Sequence, residues 1–355
     1  MAPAERSSRY TQYVRQTLAT RIPAILESAA EGQEAEAVRR LRAIAATVAA
    51  DAPMELNGDS WPLPGWEDLP ARVDGRRPRE AAFFDVEHWL YFRILQAVHH
   101  AETRVDPFRR VKHRDLARHI DWAAQAIRTT RTFADALALA LDANAHDLSQ
   151  IAGPAARLDL GRDMLRIAPD GLRRLNIVAD NFGGEFVADL VLAIIAAEAG
   201  LDVVVHVKSL PMFVSDATAE DVELLFAQLP RDTEFGRRVQ AARERGALRV
   251  AAHPFWSAPK FFDALPLHVL EPGAGVLTVL KGDLNFRRAV GDAVVPPETP
   301  FEALRVLTVA TMLSLRSIKS YCVAAMDEWP AGVGPDDFPM DGSISLAQHI
   351  PARGA

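Results

Sequence analysis

One run, LNIVADNFGGEFVAD at residues 175–189, constrains the fold of this chain more than any other. Asn176-Ile177-Val178-Ala179 is short and mostly apolar, and it stops on Asp180 and Asn181. Gly183 and Gly184 follow, and Glu185 opens an apolar-periodic segment at 186–199. This pattern predicts strand, sharp turn and helix. Ligands of open α/β sheets bind at the carboxyl ends of strands. The oxygens of Asp180 and Asn181 can share a hard cation there. The free N–H groups and positive dipole end of the next helix suit an anion. A capped turn explains the same residues, because Asp and Asn are ordinary turn formers.

The rhythm around this run predicts a sheet. From about residue 170, strands are expected at 176–179, 203–207, 248–252, 275–280, 304–310 and 321–325. Helices are expected between them at 185–199, 219–228, 234–245 and 285–290. Such alternation predicts an α/β fold with a mostly parallel sheet covered on both faces. Upstream, apolar residues recur at helical spacing in 10–31, 33–50, 81–101, 114–126 and 130–143. Gly32 breaks the first pair, Pro23 kinks the first helix, and a Pro-rich wrap at 52–81 holds Trp61 and Trp66. The expected division is a helical N-terminal region 1–165, an α/β core 166–330 and an irregular tail 331–355. With 355 residues, 49% of them hydrophobic, the chain can bury two cores, or one large core with a helical annex.

Several function classes are excluded. A net charge of −7 argues against an electrostatic nucleic-acid surface. The start of the chain is polar and charged, and no apolar run is long enough to span a bilayer. Neither a signal peptide nor a membrane contact is expected, and the expected location is cytoplasmic. The single cysteine, Cys322, rules out an intrachain disulfide and a cysteine-rich zinc site. Its apolar neighbours predict a buried, inert thiol.

Three further stations carry chemistry. The strand at 203–207 runs through Lys208 into a loop ending at Asp216, just before a helix. Parallel strands send their carboxyl ends to one edge, so Asp216 can reach Asp180 and Asn181. Two carboxylates and an amide oxygen, completed by waters and a substrate oxygen, suit Mg²⁺ or Mn²⁺. A helix cap explains Asp216 taken alone, and Lys208 alone reads as a solvated strand-end lysine. Next comes Lys281-Gly282-Asp283-Leu284-Asn285-Phe286-Arg287-Arg288, where Gly282 permits a tight turn and Arg287 suits bidentate phosphate binding. Last is Arg316-Ser317-Ile318-Lys319, whose two cations share one side if the segment is a helical turn. His253, before Pro254-Phe255-Trp256, reads as a turn histidine more readily than as a general acid.

Taken in order, Asp180-Asn181-Phe182-Gly183-Gly184-Glu185, Asp216, Asp283-Leu284-Asn285-Phe286-Arg287 and Arg316-Ser317-Ile318-Lys319 resemble the metal-dependent damage-control phosphatase family. That family is also described as acidic-residue (protein-glutamate) methyltransferase-like. The last station resembles a subfamily's Arg-Thr-x-Lys motif, with Ser317 keeping the hydroxyl of Thr. Trp61-Pro62, the helix around Glu87-His88-Trp89, Asp106-Pro107-Phe108 and Asn144-x-x-Asp147-Leu148-Ser149 extend the resemblance over nearly the whole chain. The resemblance implies a helical region packed on a Rossmann-like α/β/α core. It implies metal ligation by Asp180, Asn181 and Asp216, and a catalytic set of Asp180, Asp216 and Glu185, with Glu185 and Asp216 facing the substrate or its attacking water. It also implies a substrate-binding set that adds Asp283, Leu284, Asn285, Phe286, Arg287 and Lys319 to these residues.

The expected activity is hydrolysis of a small phosphate monoester, with sugar phosphates such as fructose phosphates foremost. Its cofactor would be a divalent metal, Mn²⁺ first, with Co²⁺, Ni²⁺ or Mg²⁺ as alternatives. No Asp-x-Asp signature stands at Asp180, so attack by activated water is preferred to an aspartyl-phosphate. The alternatives are an S-adenosylmethionine-dependent carboxyl methyltransferase acting on protein glutamate and a non-catalytic sugar-phosphate binding module. A P-loop kinase ranks below these, because the Gly-x-x-x-x-Gly-Lys-Ser/Thr loop is missing. No obligate protein partner is expected.

Overall fold

A computed structural model of the chain describes residues 8–56, 63–144, 158–304, 308, 310–335 and 337–352. Trp61-Pro62 and Asp147-Leu148-Ser149 lie outside the described residues. Seven strands form one sheet: β1 (Leu158–Leu160), β2 (Arg174–Val178), β3 (Asp202–Val207), β4 (Leu248–Ala252), β5 (Val276–Lys281), β6 (Met312–Ser317) and β7 (Ile344–Ile350). Their spatial order is β1-β7-β6-β5-β2-β3-β4, and every pairing is parallel except β6 with β7. From β2 the chain winds outward through β3 and β4, then returns to build β5 and β6 on the other side. The winding therefore reverses between β2 and β5. That is the topological switch point at which open sheets of this kind bind ligands.

Period-two alternation places the core residues. In β2, Leu175 and Ile177 enter one cluster, while Val178 enters the other. Val279 and Leu280 of β5 divide in the same way. One face is covered by Gly184–Glu198, Ala219–Gln228 and Glu234–Glu244 together with Arg109–Thr129 and Phe133–Ala143 from the first part of the chain. The other face carries the earlier helices, among them Ala35–Ala49 and Phe83–Ala97. The N-terminal helices thus complete both layers of the α/β/α sandwich.

Strands β2, β3, β4 and β5 fall where the alternation predicts them, and two expectations are corrected. No strand covers Tyr321 to Ala325, and the described part of 304–310 is irregular; the strand there is β6, further along at Met312–Ser317. The tail expected to be irregular supplies β7, six residues of which pair antiparallel with β6. Among the described residues no helix is long and apolar enough to cross a membrane.

Candidate active site

Register sets Val178 of β2 opposite Leu280 of β5, so Asp180 and Gly282, two residues on, leave the sheet at one level. Asn181 then pairs with Asp216 in an antiparallel bridge. Phe182 N donates to Ser215 O (2.6 Å) and Ala217 N donates to Asp180 O (3.1 Å). These bonds flank Asn181 and Asp216 rather than join them. A non-hydrogen-bonded pair of this kind brings its side chains close on a common face. The structure therefore places Asp216 beside the Asp180–Asn181 pair. Gly282 backs Asp180 from the β5 side. Its φ is +81°, and a Cβ built on it would lie 1.8 Å from Asp180 Oδ2.

Glu185, in the first turn of the helix Gly184–Glu198, sits among donors. Asn181 Nδ2 donates to Oε2 (2.9 Å), Asn144 Nδ2 donates to Oε1 (2.8 Å), and Lys281 Nζ stands 3.3 Å from Oε1. Lys281 also pairs with Asp189 at 2.6 Å. Burial, offset in part by Lys281 and reinforced by Glu185, raises Asp189 to about 7. Asn144 Oδ1 accepts from Ser317 N (2.6 Å), and its backbone O accepts from Lys319 Nζ (2.8 Å). Asp283 pairs with Arg316 (2.6 Å), whose guanidinium carbon stands 3.5 Å above the Phe286 ring. Asn285 Nδ2 donates to Lys281 O (2.8 Å), and Leu284 is half-buried. Asp180, Asn181, Glu185 and Asp216 are each at most 7% exposed, so the crevice is closed over. A surface cavity of about 910 Å³, lined by Ile44, Phe92 and Leu95 among others, lies elsewhere.

Four expected placements differ. Arg287 is taken up by the protein's own carboxylates instead of facing a bound phosphate: its Nε donates to Asp292 (2.6 Å), its NH1 to Glu87 (2.7 Å) and its NH2 to the Tyr321 hydroxyl (3.4 Å). The N-terminus of the Gly184–Glu198 helix is already capped, because Gly184 N donates to Asp115 Oδ2 (2.8 Å). Arg316 and Lys319 do not share a helical turn, since Arg316 lies in β6 and Lys319 in the loop beyond it. Lys208 is buried and donates to Ala179 O (3.0 Å). His253 caps a 3₁₀ turn by accepting from Phe255 N, and Cys322 is buried with its thiol pushed up by burial.

Sequence reasoning missed the groups that hold the crevice from outside. Lys112, fully buried, contacts Asp106 (2.6 Å) and Asp221 (2.5 Å) and donates to the backbone O of Asp216 (3.2 Å). Burial opposes its charge, but the two carboxylates outweigh burial and keep its pKa raised. Arg288 donates to the backbone oxygens of Phe255, Trp256, Ala258 and Lys260. Burial pushes it down to about 9, opposed by the field of Asp216, so it stays a cation at neutral pH.

The donor set bears on metal binding. Among the described residues no group of three or more His, Cys, Asp or Glu is placed to hold a metal ion. Two carboxylates and an amide oxygen remain, a set whose hard oxygens match a Mg²⁺- or Mn²⁺-like ion that keeps waters. As placed, the Asn181 amide nitrogen faces Asp180 (3.3 Å) while Oδ1 accepts from Ser215 Oγ (2.7 Å). Ligation beside Asp180 requires that amide to turn over, and a hydroxyl can accept from the nitrogen that would then face Ser215.

The fold and crevice define an α/β protein whose acidic strand ends and buried cations meet at a topological switch point. The chain belongs to the damage-control phosphatase ARMT1-like domain family, which matches residues 10–332. This bears out the family resemblance read from the motifs. The chain is 34% identical over 160 residues to damage-control phosphatase ARMT1 of Danio rerio, covering 41% of this chain and 36% of that protein. To the Homo sapiens protein of that name it is 31% identical over 159 residues, with the same coverage. The aligned segment thus spans little more than a third of these relatives. A crystal structure of a DUF89 family protein from Pyrococcus horikoshii superposes at a TM-score of 0.47 with 15% identity, covering 97% of this chain and 98% of that one.

Proposed function

We propose that this chain is a metal-dependent phosphatase of small phosphate monoesters, with sugar phosphates such as fructose phosphates as the first candidates. One observation carries the reading: Asn181 and Asp216 meet in a bridge beside Asp180 at the strand ends, and the neighbouring Glu185 is joined through Asn144 to Lys319. This arrangement links an acidic side, suited to a cation, with a cationic side, suited to an anion, across the switch point. Phosphoryl transfer needs chiefly this, the holding of the reacting groups and the neutralising of charge. A divalent cation held by Asp180, Asn181 and Asp216, Mn²⁺ foremost, would supply a Lewis acid and acidify a bound water. The Lys319 ammonium would offset charge on the phosphoryl group. Asp180 and Asp216 would orient the attacking water, and Glu185 would face the substrate or that water. Arg287 drops out of this scheme, and Arg316 acts through Asp283. The relatives, named damage-control phosphatases, support the same reaction class.

The test is a phosphatase screen of the purified chain against sugar phosphates with Mn²⁺, Co²⁺, Ni²⁺, Mg²⁺ or EDTA. Turnover that EDTA and Asp180→Ala both abolish is expected. Absence of turnover with every metal, together with tight S-adenosylmethionine binding, would replace this reading by the methyltransferase. An aspartyl-phosphate trapped on Asp180 or Asp216 would reject direct attack by water.

A further inference from the structure

We propose that Asn144 is a positioning residue of this crevice, tying the Glu185 carboxylate to the Lys319 ammonium so that the acidic and cationic sides keep one spacing. The meaning of that spacing rests on the phosphatase reading above. Asn144 follows the helix Phe133–Ala143 and is fully buried. Ending a helix would use only its backbone N–H, which points back to Leu141 O and Asp142 O. Its other polar groups are all turned on the crevice. Nδ2 donates to Glu185 Oε1, Oδ1 accepts from Ser317 N at the end of β6, and the backbone O accepts from Lys319 Nζ.

The spatial arrangement makes this more than local capping. Glu185 follows β2 and Ser317 ends β6, and β5 lies between these strands. One side chain therefore bridges the switch point, while Lys281 of β5 meets the same Glu185 oxygen from between them. The amide is required chemically, because it must donate on one side and accept on the other. A carboxylate here could still accept from Ser317 N but would face Glu185 with like charge. A methyl group would drop both side-chain bonds and leave the backbone contact to Lys319.

The full chain, Asn144→Ala and Asn144→Asp are compared with p-nitrophenyl phosphate and Mn²⁺. In parallel, thermal shifts are read with inorganic phosphate, a tetrahedral anion, and with vanadate, which adopts the five-coordinate shape of the transition state. The expected result is a kcat at least tenfold lower in both variants with KM within about twofold, since geometry serves the transition state more than ground-state binding. The shift given by vanadate should shrink while that given by phosphate persists. In a cycle with Glu185→Gln, the double variant should be no slower than Glu185→Gln alone. Unchanged kcat and vanadate shift, or additive losses in the cycle, would overturn the proposal. So would failure of both variants to fold, which would make Asn144 a folding residue only. A parent chain with neither turnover nor a vanadate shift would reject the phosphatase reading itself.

Discussion

At the scale of single residues, the candidate site depends on a close approach that only glycine allows. Asp180 lies against the Gly282 backbone, and a Cβ there would meet three side-chain atoms of Asp180, Oδ2, Cγ and Cβ, within 2.7 Å. The backbone there, φ +81° with ψ 163°, is open essentially to glycine alone and adds about 1–3 kcal/mol of strain for any other residue. Gly282→Ala must therefore push Asp180 from its place. Turnover should fall about 100-fold, the scale of loss from roughly 1 Å of misplacement, with a modest loss of stability to urea. Wild-type turnover in G282A would show that this placement of Asp180 is dispensable. The acidic and basic residue types were legible in the sequence because Asp, Asn, Gly and Glu crowd a strand end. Their partners were not. Asp115 reaches Gly184 across 69 residues, Lys112 reaches Asp216 across 104, and Asn144 reaches Ser317 across 173. Contacts at such separations leave no local periodicity to read.

At the scale of elements, the helix Asp283–Ala289 shows how a correct motif can yield a wrong role. Its Arg287 follows Asp283 by one turn and was expected to bind phosphate, yet it fills a pocket made by Glu87 and Asp292. Burial raises Glu87 while Arg287 holds it down, so the pair is a buried ion pair with little solvent to screen it. Removing the cation strands two buried carboxylates, which costs about 3–5 kcal/mol. Arg287→Met should lower the urea midpoint strongly. A stable R287M whose KM alone rises would restore the clamp. The helix Phe83–Ala97 is buried nearly all round and brings in His88, whose pKa burial pushes down to about 3. His206 in β3 is pushed down to about 4 by burial, aided by Arg174 and His253. Both are lowered in the folded state, so the unfolded chain takes up their protons first as pH drops below about 6.5. Stability should fall through this window, by up to about 1.4 kcal/mol per pH unit for each histidine. His206→Gln should flatten the loss between pH 6.5 and 5 in urea titrations; curves parallel to wild type would refute the assignment. β2, β3 and β5 were legible because most of their residues are buried, and the edge strand β4 because its apolar run is bounded by turns. β1 is only three residues long, and β7 was hidden by the Pro, Gly and Asp around it.

At the scale of the whole molecule, the tail decides whether the sheet is complete. β7 pairs with β6 from Met312–Ile350 to Ser317–Ser345, and β1 joins the sheet only through β7. β6 in turn carries Arg316 and Ser317 to the crevice and sends Leu313 and Leu315 into one core and Met312 into the other. A third cluster, Ile318, Val323, Met326, Phe338, Ile344 and Leu346, closes the same corner and takes half its members from beyond residue 330. Deleting residues 331–355 would remove those apolar side chains and leave β6 as a bare edge, with unpaired N–H and C=O groups ready to pair with another chain. The consequence reaches the site, because the strand end that anchors Asn144 through Ser317 would lose its antiparallel support. A fragment ending at residue 330 should aggregate or lose near-UV circular dichroism, and it should not turn over phosphate esters. Size-exclusion chromatography of the fragment decides the matter: a monomeric species with native spectrum and full activity would mean that the tail is an appendage and that the sheet is closed without it.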